Sequence, residues 1–190
     1  MIFHETKLQG VYAISLERLP DDRGFFARSW CSREFQEQGL IPALVQCSVS
    51  FSAKRGTLRG LHYQAEPSPE SKLVRCTRGA IHEVVVDLRP ASATFRQWIS
   101  LTLSAANREM VFVPHGCAHG FLTLADETEL FYQMSEFYRP ELARGVRWDD
   151  PCFGIVWPEE PVVMSERDRG YPDFRSGEGQ EQMSIPQQRS

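Results

Sequence analysis

An all-β fold, a sandwich or a barrel, is the class predicted by this chain of 190 residues. Two observations carry that prediction. Short apolar or alternating runs follow one another along most of the chain, and clusters of turn-forming residues separate them. The runs read GVYAISLERL, LVQCSVSF, TLRGLHYQ, KLVRCT, GAIHEVVVDL, QWISLTL, EMVFVP, HGFLTL and ETELFYQMSEF. The separators read PDDRG, SAKRG, AEPSPES, RPASAT, SAANR and PHGCA, rich in the residues that set turn geometry. The one early helical stretch is SREFQEQGL, where Ser32 is the expected N-cap, an acid follows closely, and Gly39 closes the helix. The segment GEGQEQMSIPQQRS has no hydrophobic pattern and is expected to be a loose polar tail over 176–190.

The length suits a single domain with a full core, expected over residues 1–175. Apolar residues at 42% and charged residues at 24% are ordinary for a soluble globular protein. The formal net charge of −4, with both signs interspersed, speaks against a nucleic-acid partner, which calls for a basic face. Five cysteines, at 31, 47, 76, 117 and 152, are odd in number and form no CxxC pair, so a zinc knuckle or dithiol site is not indicated. MIFHETKLQG lacks the basic and apolar regions of a signal peptide, and no apolar run approaches the roughly 20 residues that span a bilayer. The expectation is a reduced, cytoplasmic protein without a membrane partner.

Side-chain alternation sorts the polar residues that interrupt these runs. In TLRGLHYQ, positions 58, 60, 62 and 64 share one face and 59, 61 and 63 the other. Leu130, Tyr132 and Met134 share a face of their run, as do His119, Phe121 and Thr123 of theirs. His62, Lys72, His119 and Tyr132 can therefore point into a common interior, and a polar barrel mouth is a normal small-molecule site. Strict alternation puts Arg59 and His62 on opposite faces, so both line one cavity only if Gly60 marks a bulge.

These residue types form a proton-transfer kit. An imidazole accepts a proton near neutral pH, a phenol donates one from another direction, and Lys72 or Arg59 stabilises an oxyanion or holds a phosphate. Taken singly, each has a plainer reading. His62 can be a hydrogen-bonding strand residue, Tyr132 a core aromatic and Lys72 a solvated strand residue. Only their convergence would be telling.

With DDRGFF, RGTLRGLHYQ, KLVRCTRGAI, VVVDLRPASATF, VFVPHGCAHGFLTL, YQMSEFYRPE, GVRWDDP, GIVWP and SERDRGYP in order, the chain resembles the dTDP-4-dehydrorhamnose 3,5-epimerase family from about Leu8 to Phe174. That resemblance implies a cupin-type double-stranded β-helix, or jelly-roll barrel, with a few short peripheral helices. It implies His62 as general base, Asp168 as its orienting partner, Tyr132 as the acid on the opposite side, and Lys72 at the enolate oxygen. Arg23 and Arg59 would contact the nucleotide diphosphate, and His119 and Tyr138 would help line the sugar pocket. Phe26 and Arg167, in the matching blocks, and Arg28, Gln46 and Ser48, in the segments RGFFAR and QCSVS, are further substrate-binding candidates. The plainer alternatives, Arg23 in a turn salt bridge and Asp168 as an exposed turn residue, carry less weight across so many blocks.

The implied substrate is a nucleotide-linked 4-keto-6-deoxy sugar, dTDP-linked in the first instance, with no redox cofactor and no metal, in a homodimer. PHGCAH resembles the second cupin motif, so a metal site built from His62, His119 and Glu83 is the competing reading. HYQ, however, lacks the HxH that usually supplies two ligands. Four positions depart from the family pattern. Arg28 stands where an acid is common, Ser48 replaces an asparagine, Ala143 replaces an acid before RG, and Glu83 replaces an aspartate and is expected to support His119. The first three leave the nucleotide and the exact sugar open, along with whether C3, C5 or both are inverted. A single-centre epimerase and a non-catalytic sugar-nucleotide binder remain as alternatives.

Overall fold

The structure, a computed structural model, describes residues 1–41 and 43–174; the tail expected over 176–190 lies outside the described residues. Two antiparallel sheets carry the chain. One has six strands in the order β1 (Ile2–Glu5), β2 (Tyr12–Ser15), β10 (Met110–Val113), β7 (Lys72–Arg78), β12 (Thr128–Met134) and β5 (Gln46–Ser52). The other has five, in the order β13 (Ala143–Gly145), β6 (Leu58–Gln64), β11 (Cys117–Thr123), β8 (Ala80–Asp87) and β9 (Trp98–Ser104). A separate hairpin joins β3 (Arg18–Asp21) to β4 (Gly24–Ala27) across the DDR turn. The sheets face one another as a jelly-roll barrel, as the strand-and-turn pattern and the resemblance led us to expect.

The predicted runs became strands because their alternation gives each sheet one apolar face. Val74 and Cys76 of β7, Val111 and Val113 of β10 and Leu130 of β12 meet Ile81 and Val85 of β8, Leu103 of β9 and Phe121 of β11 in one buried cluster. Full burial of each such large side chain stabilises the fold by about 1.5–3 kcal/mol. Truncating the buried Phe121 to alanine would cost about 3–5 kcal/mol, because the cavity left behind could not collapse between two sheets. The outer face of the six-stranded sheet is partly covered by α1 (Ser32–Glu37), which buries Phe35 against Ile14, Met110 and Phe112.

Helix α1 differs from its sequence reading at the start. Its N-cap is Cys31, which makes no side-chain capping bond, and Ser32 is the first helical residue. The chain enters extended at Cys31, at φ −155° and ψ 120°, so the hydroxyl one residue later sits inside the first turn and not at the cap. Gly39 does close the helix, with φ +69° and its N–H on the Gln36 carbonyl. Strands β1, β3, β4 and β13 and the short helix α2 (Glu166–Arg169) were not anticipated. All are three or four residues long, too short for a period to show. Among the described residues, no helix is long and apolar enough to cross a membrane.

The feature that positions the site lies between β6 and β11. Their ladder pairs His62 with His119 and Arg59 with Phe121, so two residues of β6 stand opposite the single Gly120. This is the bulge that alternation required at Gly60. Gly60 has φ +144°, and a Cβ there would lie 2.5 Å from the Gly120 Cα. A Cβ on Gly120 would lie 2.7 Å from the Arg59 carbonyl oxygen, so neither position has room for a side chain.

Candidate active site

A cavity of about 390 Å³ opens at one end of the barrel. His62 and Gln64 enter it from β6, Lys72 from β7, Tyr132 and Met134 from β12, and Gln46 and Ser48 from β5. Tyr138, Ala143, Arg144 and Arg167 complete the mouth. The strands place these groups because a two-residue period keeps His62 with Gln64, and Tyr132 with Met134, on one face of each strand.

His62 is held by a residue 106 positions away. Its Nε2 lies 2.7 Å from Oδ1 of Asp168, which comes from α2. The Gly60 N–H donates to the other carboxylate oxygen at 3.3 Å, and the Asp168 N–H donates to the Ser165 hydroxyl, the helix N-cap, at 3.1 Å. Burial alone would raise the Asp168 carboxyl, but the hydrogen bond and charge of His62 and the bonds from Gly60 and Ser165 outweigh it. They hold the group below the ordinary carboxylate range. An ionised carboxylate only accepts, so the facing Nε2 carries the proton and Nδ1 is the nitrogen free to take one. The Tyr171 ring stands edge-on to the imidazole at 6.2 Å, completing its support.

Across the cavity, Tyr132 presents a phenol of opposite protonation character. Burial pushes its pKa well above the ordinary value, and Glu83 adds to the shift while Arg59 opposes it. The hydroxyl therefore stays protonated at neutral pH and is equipped to donate. Lys72 lies 2.9 Å from Glu70, and both side chains are largely buried. The lysine brings a cation into the same cavity, where water is limited and charge interactions are strong.

Behind Tyr132 sits a second imidazole. His119 is buried, its ring 6.1 Å from Tyr132 and its Nδ1 2.7 Å from Oε1 of Glu83, so the expected support of His119 by Glu83 is present in the geometry. Burial, with Lys72 and His62 nearby, drives the His119 pKa well down. Burial raises Glu83, with Lys72 opposing. Burial thus favours the uncharged form of each partner. His119 backs the cavity and is not part of its lining, because β11 is buried along its whole length.

Of the other expected residues, Gln46, Ser48, Tyr138 and Arg167 line the cavity, and the Tyr138 N–H donates to Gln46 Oε1 at 3.1 Å. Arg59 lines an adjoining hollow of about 460 Å³ that shares His62 and Arg167 with the first. Its guanidinium donates to the Phe51 carbonyl and the Ser52 hydroxyl. Arg23, Phe26 and Arg28 are not in the cavity of their own chain. Arg23 pairs with Asp21 at 2.6 Å in the hairpin turn, Phe26 is 71% exposed, and Arg28 pairs with Glu34 at 2.5 Å. Among the described residues, no three His, Cys, Asp or Glu side chains converge as a metal cluster; His62 and His119 each face a carboxylate of their own.

Sequence reasoning missed Glu70, Tyr63, Arg144 and Tyr171. Glu70 lies in the loop just before β7, where no strand period applies. The others depend on where β13 and the segment after α2 pass, which no local pattern encodes.

An imidazole held by a carboxylate, a protonated phenol and a lysine share one barrel cavity, a set of groups able to move a proton on and off carbon beside a carbonyl. Comparison narrows the class. The family model described as dTDP-4-dehydrorhamnose 3,5-epimerase matches residues 5–176. The dTDP-4-dehydrorhamnose 3,5-epimerase of Methanothermobacter thermautotrophicus is 46% identical over 176 residues, covering 91% of this chain and 94% of that protein. The crystal structure of the Bacillus anthracis enzyme with TDP and PPi bound superposes with a TM-score of 0.87 at 39% identity, covering 91% of this chain and 99% of that one. A 3'-monoepimerase from Streptomyces bikiniensis in complex with dTDP-quinovose superposes at 0.85 with 32% identity, covering 95% and 91%. The chain belongs to the dTDP-4-dehydrorhamnose 3,5-epimerase family, the cupin-fold sugar-nucleotide epimerases, and is an isomerase.

Proposed function

We propose that the protein inverts C3, C5 or both in a 4-keto-6-deoxy sugar carried on a nucleoside diphosphate, dTDP in the first instance. One observation carries this reading: His62, with Asp168 behind it, and Tyr132 open into the same cavity beside Lys72. The C4 carbonyl acidifies the C–H bonds on both flanks. His62 Nδ1 takes one of these protons, the C–H electron pair becomes the enolate double bond, and the carbonyl pair moves onto O4, which Lys72 stabilises. Tyr132 then returns a proton to the opposite face. The new C–H bond forms from the enolate pair, and inversion results. The proton on His62 and the one lost by Tyr132 are exchanged with solvent to restore the enzyme. Arg59 and Arg167, at the adjoining hollow, are the cations available to the diphosphate.

The working unit in this reading is a homodimer. Val49 and Phe51 on the outer face of edge strand β5 are 61% and 48% exposed, and Leu19 and Phe26 of the hairpin are 62% and 71% exposed. An apolar edge of this kind calls for a partner. A second copy would cover it and bring Arg23, Phe26 and Arg28 to a neighbouring cavity. The five cysteines, all unpaired, suit a reducing cytoplasmic compartment.

The test is incubation with dTDP-4-keto-6-deoxyglucose in deuterated water, with label located by NMR. Label at C3 and C5 is expected, and His62→Ala should abolish it. Label at one carbon only selects a single-centre epimerase. Tight binding without exchange selects a sugar-nucleotide binder and overturns the catalytic reading.

A further inference from the structure

We infer that Glu70 is the acceptor for the substrate's 3-hydroxyl and so determines which flank of the C4 carbonyl lies on which side of Lys72. The inference rests on the reaction proposed above. Glu70 lines the cavity with His62, Lys72 and Tyr132, and its side chain is only 7% exposed. One carboxylate oxygen, Oε1, is 2.9 Å from Lys72 Nζ; Oε2 has no protein partner among the described residues. The charge is paired with Lys72, but a largely buried oxygen without a hydrogen bond is costly and calls for a donor in the cavity.

The chemistry of the sugar selects that donor. Lys72 faces O4, so whatever lies one hydrogen bond from Lys72 meets the groups on the carbons next to C4. C5 carries a methyl group and the ring oxygen, neither of which donates. C3 carries a hydroxyl, vicinal to the carbonyl. An ionised carboxylate accepts only, and the 3-hydroxyl is the one matching group. Glu70 therefore belongs on the C3 side of Lys72 and leaves the C5 side to the apolar surface of Met134, which lines the same cavity. The contact is charge-assisted, and it orients the ring between His62 and Tyr132 as a positioned acceptor should. Inversion at C3 moves the hydroxyl, so this contact also distinguishes the sugar before and after that step.

The experiment pairs the residue with the group it is said to recognise. Dissociation constants are measured by calorimetry for dTDP-4-keto-6-deoxyglucose and for its 3-deoxy analogue, with the wild type, Glu70→Ala and Glu70→Gln. Deuterium exchange at C5 is followed in parallel. The wild type should prefer the 3-hydroxy sugar by about tenfold or more. Glu70→Ala should lose that preference, while Glu70→Gln, which keeps an acceptor, should retain most of it. Equal weakening of both sugars by Glu70→Ala would mean the carboxylate acts only through Lys72 or the fold, and it overturns the inference. So does a wild type indifferent to the 3-hydroxyl. Absence of exchange with a Glu70-dependent preference would instead sink the proposed reaction and leave the assignment of Glu70 standing.

Discussion

Two histidine–carboxylate pairs lie side by side in the β6–β11 ladder, and they are chemically alike and physically opposite. His62 with Asp168 and His119 with Glu83 have the same 2.7 Å contact, and the two histidines are direct cross-strand partners. The His62 side chain is 38% exposed, whereas those of His119 and Glu83 are 6% and 0% exposed. At the open pair, Asp168 collects hydrogen bonds from Gly60 and Ser165 and is held ionised. At the sealed pair, nothing among the described residues bonds the second oxygen of Glu83, and burial favours the uncharged form of both groups. An imidazole beside a carboxylate is thus not a catalytic base by composition. Solvent access and additional donors decide whether such a pair can carry charge, and the two pairs differ in both.

The largest effect should come from removing one histidine or the other. His62→Ala should lower kcat for exchange by roughly 10³-fold. His119→Ala should lower it by no more than about tenfold, a difference of props against participants. Comparable losses, measured as exchange rates on folded protein, would erase the distinction between the pairs.

Asp168→Asn comes next. The amide cannot hold Nε2–H as a carboxylate does, so the imidazole loses its tautomer and orientation, and kcat should fall by roughly 10²–10⁴-fold. KM should change little. A loss confined to KM would place Asp168 in substrate binding instead.

A third variant tests whether the sealed pair is neutral. Glu83→Gln preserves shape and keeps a hydrogen-bonding end, so its cost in denaturant unfolding should stay within about 1 kcal/mol. Glu83→Ala leaves His119 unpartnered beside a cavity and should cost about 2–4 kcal/mol. Equal costs would indicate that Glu83 is ionised and its charge matters.

The smallest effect concerns pH. The His119 pKa lies below its ordinary 6.5 in the folded state, so the unfolded chain takes up a proton first and stability falls as pH drops below 6.5. Glu83 works the other way. Its folded pKa lies above the ordinary 4.5, so stability falls as pH rises past 4.5. His119→Gln should remove the acid-side loss, flattening the change in Tm between about pH 7 and 5.5 by the equivalent of about 1 kcal/mol. An unchanged slope would mean that His119 is not held neutral.

The legible part of the molecule was the part with a period. Runs such as KLVRCT and ETELFYQM show strands and their inner faces, because alternation is a property of neighbouring residues. Hence His62, Lys72 and Tyr132 could be grouped, and the need for a bulge at Gly60 could be stated. The start of α1 was misplaced by one residue, since Ser32 has the side chain a cap prefers but the entry angle of the chain put Cys31 at the cap. Strand β13, which lays Ala143 and Arg144 along the cavity mouth, is too short to announce itself.

By itself the sequence determined the strand-rich architecture, the apolar interior and the inventory of acids, bases and cations, since these follow from residue type and two-residue spacing. The family resemblance named the carboxylate for each histidine; tertiary structure alone decided how deeply each pair is sealed and that Glu70 shares a cavity with Tyr132. Those outcomes depend on strands far apart in the chain meeting in one register. The charge state of each group follows from the water that this packing excludes.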